Sequence, residues 1–336
     1  MYKRKLLSLV CISIIMWNGQ SFGAIEQKNT VKVLTLNTAL LTVFFGQIDV
    51  NMRNNNSRAT LMGKTIKDMS EKPDIIVFQE AFDSKALRNL LYKEVKDIYP
   101  HAFFDTRQNA YFGGGVDSGL AILSKYPIIR KFQKDFSCWA GIEALARKGI
   151  MGAEISVNGC PFYMFTAHFQ AGVSKDWYIK LASNAKNWLA KLKLVDPRSC
   201  EGKDPDKLSS DDIVNMELHQ AKKEIYSFVK DKNAPIVFAG DFNISRLRDT
   251  VNYEELLKTF PGALDTYING SKKIKSSSWK GDKVAETETD RLDYVWLLNP
   301  SAISSAKSDI IDTFTSTMTD HLGVLGTIEF SCKSSK

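Results

Sequence analysis

The chain has 336 residues, 44% of them hydrophobic and 25% charged, so it can bury a large core as one big domain or two smaller ones, and a disordered chain is excluded. Its net charge of +7 suits an anionic substrate or surface, yet the basic residues are scattered and part of the excess lies at the very start, so charge alone selects no partner. Lys3, Arg4 and Lys5, the apolar run from Leu6 to Met16, and the small residues Ser21 and Gly23 before Ala24 read as a signal peptide cleaved near Gly23. The run is too short for a permanent membrane anchor, so residues 24–336 are expected as a single secreted domain, extracellular or periplasmic. Export leaves Cys138, Cys160, Cys200 and Cys332, an even set in an oxidising compartment, for which one or two disulfides of open connectivity are expected. No CxxC spacing is present, and a zinc site is not expected.

Along the chain, short runs rich in Val, Ile, Phe and Leu read as strands, and each delivers a polar residue at its end. Val31 to Leu36 leads into Asn37, and Asp74 to Phe78 into Gln79 and Glu80. Leu120 to Leu123 leads into Ser124, and Phe162 to Thr166 into His168. Ile236 to Ala239 leads into Asp241 and Asn243, and Leu292 to Leu298 carries Asp293. Helical periodicity is clearest over Arg58 to Ser70, Ser84 to Ile98, Trp177 to Leu192 and Asp212 to Lys230. The alternation predicts an α/β domain with sheets covered by helices and polar groups projected from strand ends. Gly113-Gly114-Gly115 is a flexible turn rather than a phosphate loop, since no GK[ST] follows, and there is no internal repeat.

These strand ends hold what a hard-metal phosphodiesterase needs. Glu80 can offer a carboxylate and Asn37 a carbonyl oxygen to magnesium, which favours oxygen ligands. His321, preceded by Asp320, can act as a general base if Asp293 holds its second ring nitrogen. His168 can donate to a phosphoryl oxygen, and Asp241 and Asn243, two apart beyond a strand, can face one side of a pocket. Each residue alone also has a structural explanation: an acidic residue opening a helix for Glu80, an Asx turn for Asp241 and Asn243, a merely structural imidazole for His321. His101, after a Tyr-Pro turn, and His219, inside a helical pattern, are read as structural.

In order, LTLN at Asn37, FQEAFD at Glu80, SGLAILSKYPI, FTAHFQAG at His168, FAGDFN at Asp241, RLDY at Asp293 and TDH at His321 resemble the endonuclease/exonuclease/phosphatase superfamily over almost the whole mature chain. Within it, the Ala81-Phe82-Asp83 after Glu80, the His-Phe-Gln-Ala turn at His168 and the Lys148-Gly149 turn look most like the neutral and bacterial sphingomyelinases. The resemblance implies a DNase-I-like four-layer sandwich, two mixed β-sheets packed face to face with helices outside. It also implies magnesium (manganese or cobalt in its place) held by Glu80 and Asn37, with Asp320 assisting the metal or His321. His321 would be the base oriented by Asp293, and His168, Asp241 and Asn243 would hold phosphate and nucleophile. The implied reaction is hydrolysis of sphingomyelin, or a related phospholipid at a membrane surface, to ceramide and phosphocholine, with no obligate protein partner.

The chain departs from the family at Ile142-Glu143, where an aspartate is common, and in a longer polar insertion around Cys200. Alternative readings are a secreted nuclease acting on nucleic acid, a phosphoinositide phosphatase using Arg147-Lys148, and a non-enzymatic membrane-binding protein. Action on a bilayer calls for an exposed apolar element, with Trp139, Ile142 and Leu145 in one loop, or Trp279 beside Lys272, Lys273 and Lys275, as candidates.

Overall fold

The computed structural model describes residues 26–43, 48–49, 52–83, 85–105, 117–139, 148–171, 200–204, 207–267, 277, 279–280, 283–284 and 291–333. The signal-peptide segment, the triple glycine, the expected helix from Trp177 to Leu192 and the Lys272–Lys275 cluster lie outside these. In chain order the strands are β1 Glu26–Asn37, β2 Thr42–Val43, β3 Ile48–Asp49, β4 Ile75–Gln79, β5 His101–Phe104, β6 Ala121–Ser124, β7 Ile128–Asp135, β8 Gly149–Val157, β9 Cys160–His168, β10 Ile236–Asp241, β11 Leu264–Asp265, β12 Trp279–Lys280, β13 Lys283–Val284, β14 Asp293–Leu297, β15 Ser305–Ile311 and β16 Gly323–Lys333. The helices are α1 Asn55–Asp68, a π-helical turn Ala86–Leu91 running into α2 Tyr92–Val95, α3 Ser210–Phe228 and α4 Thr250–Thr259.

Two six-stranded mixed sheets form the body, ordered β15-β16-β1-β4-β6-β5 and β11-β14-β10-β9-β8-β7. Only β1 with β4 and β9 with β10 run parallel; the other ladders of these sheets are antiparallel. Three apolar cores separate four layers, as the resemblance implied. Val31, Val33, Ile75, Val77, Met164, Val237, Ala239, Val295 and Ile328 pack between the sheets. Leu34, Leu36, Ile76 and Phe78 turn outward to Ala59, Met62 and Ile66 of α1. Phe165, Phe238, Tyr294 and Trp296 turn outward to Leu218, Ile225 and Leu256 of α3 and α4.

Helices expected at Arg58 and Asp212 begin earlier, at Asn55 and Ser210. For α3 the reason is a capping box: the Ser209 side chain accepts from Asp212 N–H while the Asp212 carboxylate accepts from Ser209 N–H. Sequence periodicity missed β5, β7 and β15, which are edge strands with partly exposed outward residues such as Lys131, Lys134 and Ser305, and so lack a continuous apolar run. It also missed β8, whose small residues Gly149, Gly152 and Ala153 dilute the strand signal.

One or two disulfides were expected, and two form. Cys138–Cys200 joins the segment after β7 to the turn preceding α3, and Cys160–Cys332 joins the start of β9 in one sheet to β16 in the other, 172 residues apart in sequence. Replacing Cys160 and Cys332 by serine is expected to destabilise the protein by about 2–5 kcal/mol, read as a lowered Tm. Turnover at low temperature should stay near wild type, because this bridge sits at the strand ends remote from His168 and His321. Lost turnover with an unchanged Tm would contradict that account.

Candidate active site

The alternation of the inner strands explains why polar side chains gather at one edge. Along β1 the inward positions read Val31, Val33, Thr35, Asn37; along β4, Ile75, Val77, Gln79; along β9, Phe162, Met164, Thr166, His168; and along β10, Val237, Ala239, Asp241. Each strand is apolar in the middle of the sandwich and polar where the sandwich opens. Register then sets the residues abreast: His168 lies opposite Asp241, and Asp241 opposite Asp293 across β9, β10 and β14, while Asn37 lies opposite Gln79 in the facing sheet. Beneath them Thr35 donates to Gln79 Oε1 at 3.1 Å and Gln79 Nε2 donates to Thr166 Oγ1 at 2.9 Å, joining the sheets under the cleft. Gly240 is required there, since a Cβ would stand 2.2 Å from the Ala167 carbonyl oxygen.

His321 Nδ1 lies 2.8 Å from Asp293 Oδ2, which leaves Nε2 facing the cleft, 3.8 Å from Asp241 Oδ2. Asp241 Oδ2 also accepts from Asn37 Nδ2 at 2.9 Å and lies 3.7 Å from His168 Nε2, which is 3.6 Å from Glu80 Oε1. The expected set of Asn37, Glu80, His168, Asp241, Asn243, Asp293, Asp320 and His321 is thus brought together. Asn243 N–H donates to Asp241 Oδ1 and its side-chain amide to the Phe169 carbonyl, both at 2.9 Å. Ala39, Glu80 and Asn243 take φ of 48°, 52° and 52°, a left-handed conformation uncommon outside glycine and one that collects at functional sites.

Burial pushes the Glu80 carboxyl up to about 7, opposed by His321 and an Asn37 hydrogen bond and reinforced by Asp320 and Asp241. Burial would also lower His321, but Asp293 and Asp241, the Asp293 hydrogen bond and Asp320 together carry it well above the ordinary histidine range. His168 is held well below that range by burial, Lys148 and His321, so its ring is neutral. Burial raises the Asp293 carboxyl, against the pull of His321.

The donor set fits a hard divalent cation. Ligand atoms of Glu80, His168 and Asp241 lie within 4.8 Å of one another, as do those of Asp241, Asp293 and His321. Burial is the chief cause of the raised Glu80 carboxyl, with Asp320 and Asp241 adding to it against His321, so a cation bound there would favour the ionised form. Asn37 differs from expectation in its amide orientation: Oδ1 accepts the Ala39 N–H at 3.0 Å, and the nitrogen end faces Asp241.

The sequence offered Lys148 as part of a Lys-Gly turn and of an alternative phosphatase reading, without a role beside His168. Its ammonium lies 3.1 Å from His168 Nε2 and donates to the Phe169 carbonyl at 2.7 Å. An ammonium only donates, so in this contact Nε2 is the acceptor. Lys148 is 5% exposed, and the signal was the Lys-Gly pair that opens β8, whose first residues pair with the end of β9 next to His168. Trp139 is also corrected, because at 4% exposure it is packed inside the protein and offers no face to a bilayer. Ile142 and Leu145 lie outside the described residues, as does the Trp279 side chain, though the Trp279 backbone pairs with Val284. His101 in β5 and His219 in α3 stand apart from the site, as expected.

No helix among the described residues is long and apolar enough to cross a membrane. A sphingomyelinase C of Bacillus cereus is 26% identical over 278 residues, covering 75% of this chain and 71% of that protein. The crystal structure of sphingomyelinase C from Streptomyces griseocarneus superposes with a TM-score of 0.61 at 18% identity, over 89% of this chain and 99% of that one. A Staphylococcus aureus beta toxin variant, crystallised with bound magnesium ions, gives a TM-score of 0.60 at 18% identity over the same shares. Residues 45–313 match the endonuclease/exonuclease/phosphatase family. With that span, this sandwich and this carboxylate-histidine cleft, the chain belongs to the endonuclease/exonuclease/phosphatase family and is a phosphodiester hydrolase.

Proposed function

We propose that the protein is an exported, magnesium-dependent sphingomyelin phosphodiesterase that releases phosphocholine and leaves ceramide. The observation that carries the chemistry is the 2.8 Å His321–Asp293 pair facing Asp241 and His168 across the cleft. The lipid substrate is supported by the likeness to sphingomyelinase C. Export is supported by the two disulfides, a feature of oxidising compartments.

His321 Nε2 takes a proton from water as the water oxygen bonds to phosphorus; the bond to the ceramide oxygen breaks, and that oxygen is protonated from solvent. Asp293 holds the Nδ1 proton and stabilises the imidazolium that forms. Asp241 orients the water, positioned by Asn37 and by the Asn243 N–H. His168 and the Lys148 ammonium form the wall against which phosphoryl oxygens pack. Glu80, with Asp320 beside it, would hold the magnesium, and Asn37 would join them with its amide turned so that Oδ1 faces the cleft; the ion would supply positive charge against the phosphoryl oxygens and the leaving alkoxide.

The test is to incubate the protein with sphingomyelin liposomes and, separately, plasmid DNA, with magnesium or EDTA. Phosphocholine release that stops with EDTA is expected. DNA cleavage without lipid turnover would keep the site and overturn the substrate.

A further inference from the structure

Arg58 lies on the buried stripe of α1 and is 4% exposed, outside the set of groups that face the cleft. Its guanidinium is spread over backbone carbonyls of the loops that carry the site. Nη1 donates to Thr38 O at 3.2 Å and to Met318 O at 2.7 Å, and Nη2 donates to Ala39 O at 2.7 Å. Nε donates to Arg53 O at 3.2 Å, and Nη2 also bonds the Asn55 side chain.

Thr38 and Ala39 immediately follow Asn37, and Met318 stands three residues before His321. A second tie runs alongside: Thr319 Oγ1 donates to Asn37 O at 2.6 Å and accepts from His321 N–H at 3.2 Å. Ala39 holds φ of 48°, and its N–H donates to Asn37 Oδ1 at 3.0 Å. The neighbouring Asn55 extends the clamp to the Glu80 loop, through Nδ2 to Leu41 O at 3.0 Å and to Asp83 Oδ2 at 3.5 Å, while Asp83 N–H returns to Leu40 O.

We propose that Arg58 is a positioning residue: one buried guanidinium locks the chain after β1 to the chain before β16, and so sets Asn37 and His321 at their working separation. This rests on the roles given to those two residues above. A planar fork with five donors can serve carbonyls of both loops at once, whereas an ammonium with three cannot reproduce the spread.

The test compares wild type, Arg58→Lys, Arg58→Ala and the control Lys64→Ala on the exposed face of α1, using bis(p-nitrophenyl) phosphate and sphingomyelin micelles, with thermal melts of each. Arg58→Lys is expected to fold and to lose roughly 10–100-fold in kcat with KM within about two-fold, the signature of misplaced reacting groups. Added guanidinium should restore part of the kcat of Arg58→Ala, and Lys64→Ala should match wild type. A folded Arg58→Lys with kcat within two-fold of wild type would overturn the proposal. So would activity lost only in proportion to unfolded protein, or an Arg58→Lys chain that does not fold. Wild-type turnover of the chromogenic diester without turnover of sphingomyelin would reject the lipid substrate and leave the positioning role intact.

Discussion

Replacing His321 by alanine is expected to lower kcat for phosphodiester hydrolysis by about 10²–10⁴-fold, the usual contribution of a positioned general base, with a much smaller effect on KM. The expectation rests on direction as much as distance. Nδ1 is engaged by Asp293 Oδ2 at 2.8 Å, so the neutral ring carries its lone pair on Nε2, on the side of Asp241 and the cleft; the surrounding carboxylates favour the protonated ring in the metal-free site, and a bound cation beside them would oppose that and free Nε2 to accept. Asp293→Asn keeps the shape of that partner but removes the charge that stabilises an imidazolium and lets the wrong tautomer form. A loss on the order of 10³–10⁴-fold is expected for it. Because the two groups act as one unit, the double variant should lose no more than the worse single variant, whereas independent groups would multiply their losses. Initial rates with saturating substrate, on proteins shown to be folded by circular dichroism, decide the matter. A His321→Ala enzyme within about three-fold of wild type would place the base elsewhere.

The second large effect concerns Glu80, whose substitution should stabilise the metal-free protein while removing its response to magnesium. The carboxyl is raised from 4.5 to about 7, chiefly by burial, so the folded protein binds a proton that the unfolded chain releases. Stability therefore falls as pH rises from about 4.5 to 7, and the full penalty is present above 7. The interval corresponds to about 3 kcal/mol, an upper figure because 19% of the side chain still reaches water. Glu80→Gln should accordingly raise the Tm in EDTA by several degrees at pH 8 and by almost nothing at pH 4.5. Magnesium should raise the Tm of wild type at pH 8 and leave that of Glu80→Gln unmoved, and the variant should be inactive. Equal magnesium-induced shifts in the two proteins would remove Glu80 from the metal site.

By itself the sequence determined which strands would lie inside and what they would deliver. Val31-Val33-Thr35-Asn37 and Val237-Ala239-Asp241 are inward positions of period two, and hydrophobic burial leaves no other face for them to present. The polar end of each series was therefore legible as a cleft edge, and seven motifs in order were legible as a family. Edge strands β5, β7 and β15 were not, because a strand with partly solvated outward residues needs no apolar signature. Only the tertiary structure decided what depends on register and three-dimensional partners. It set His168, Asp241 and Asp293 abreast, turned the Asn37 amide nitrogen toward Asp241, brought Lys148 onto His168 and placed Arg58 across the loops after β1 and before β16, where Thr319 and Asn37 meet from 282 residues apart. It also enclosed Trp139, whose aromatic side chain suits an interface as well as a core until its neighbours are known. A pattern of period two states which face a side chain takes; the distance to its partner is set by how the two sheets pack, which no local pattern encodes.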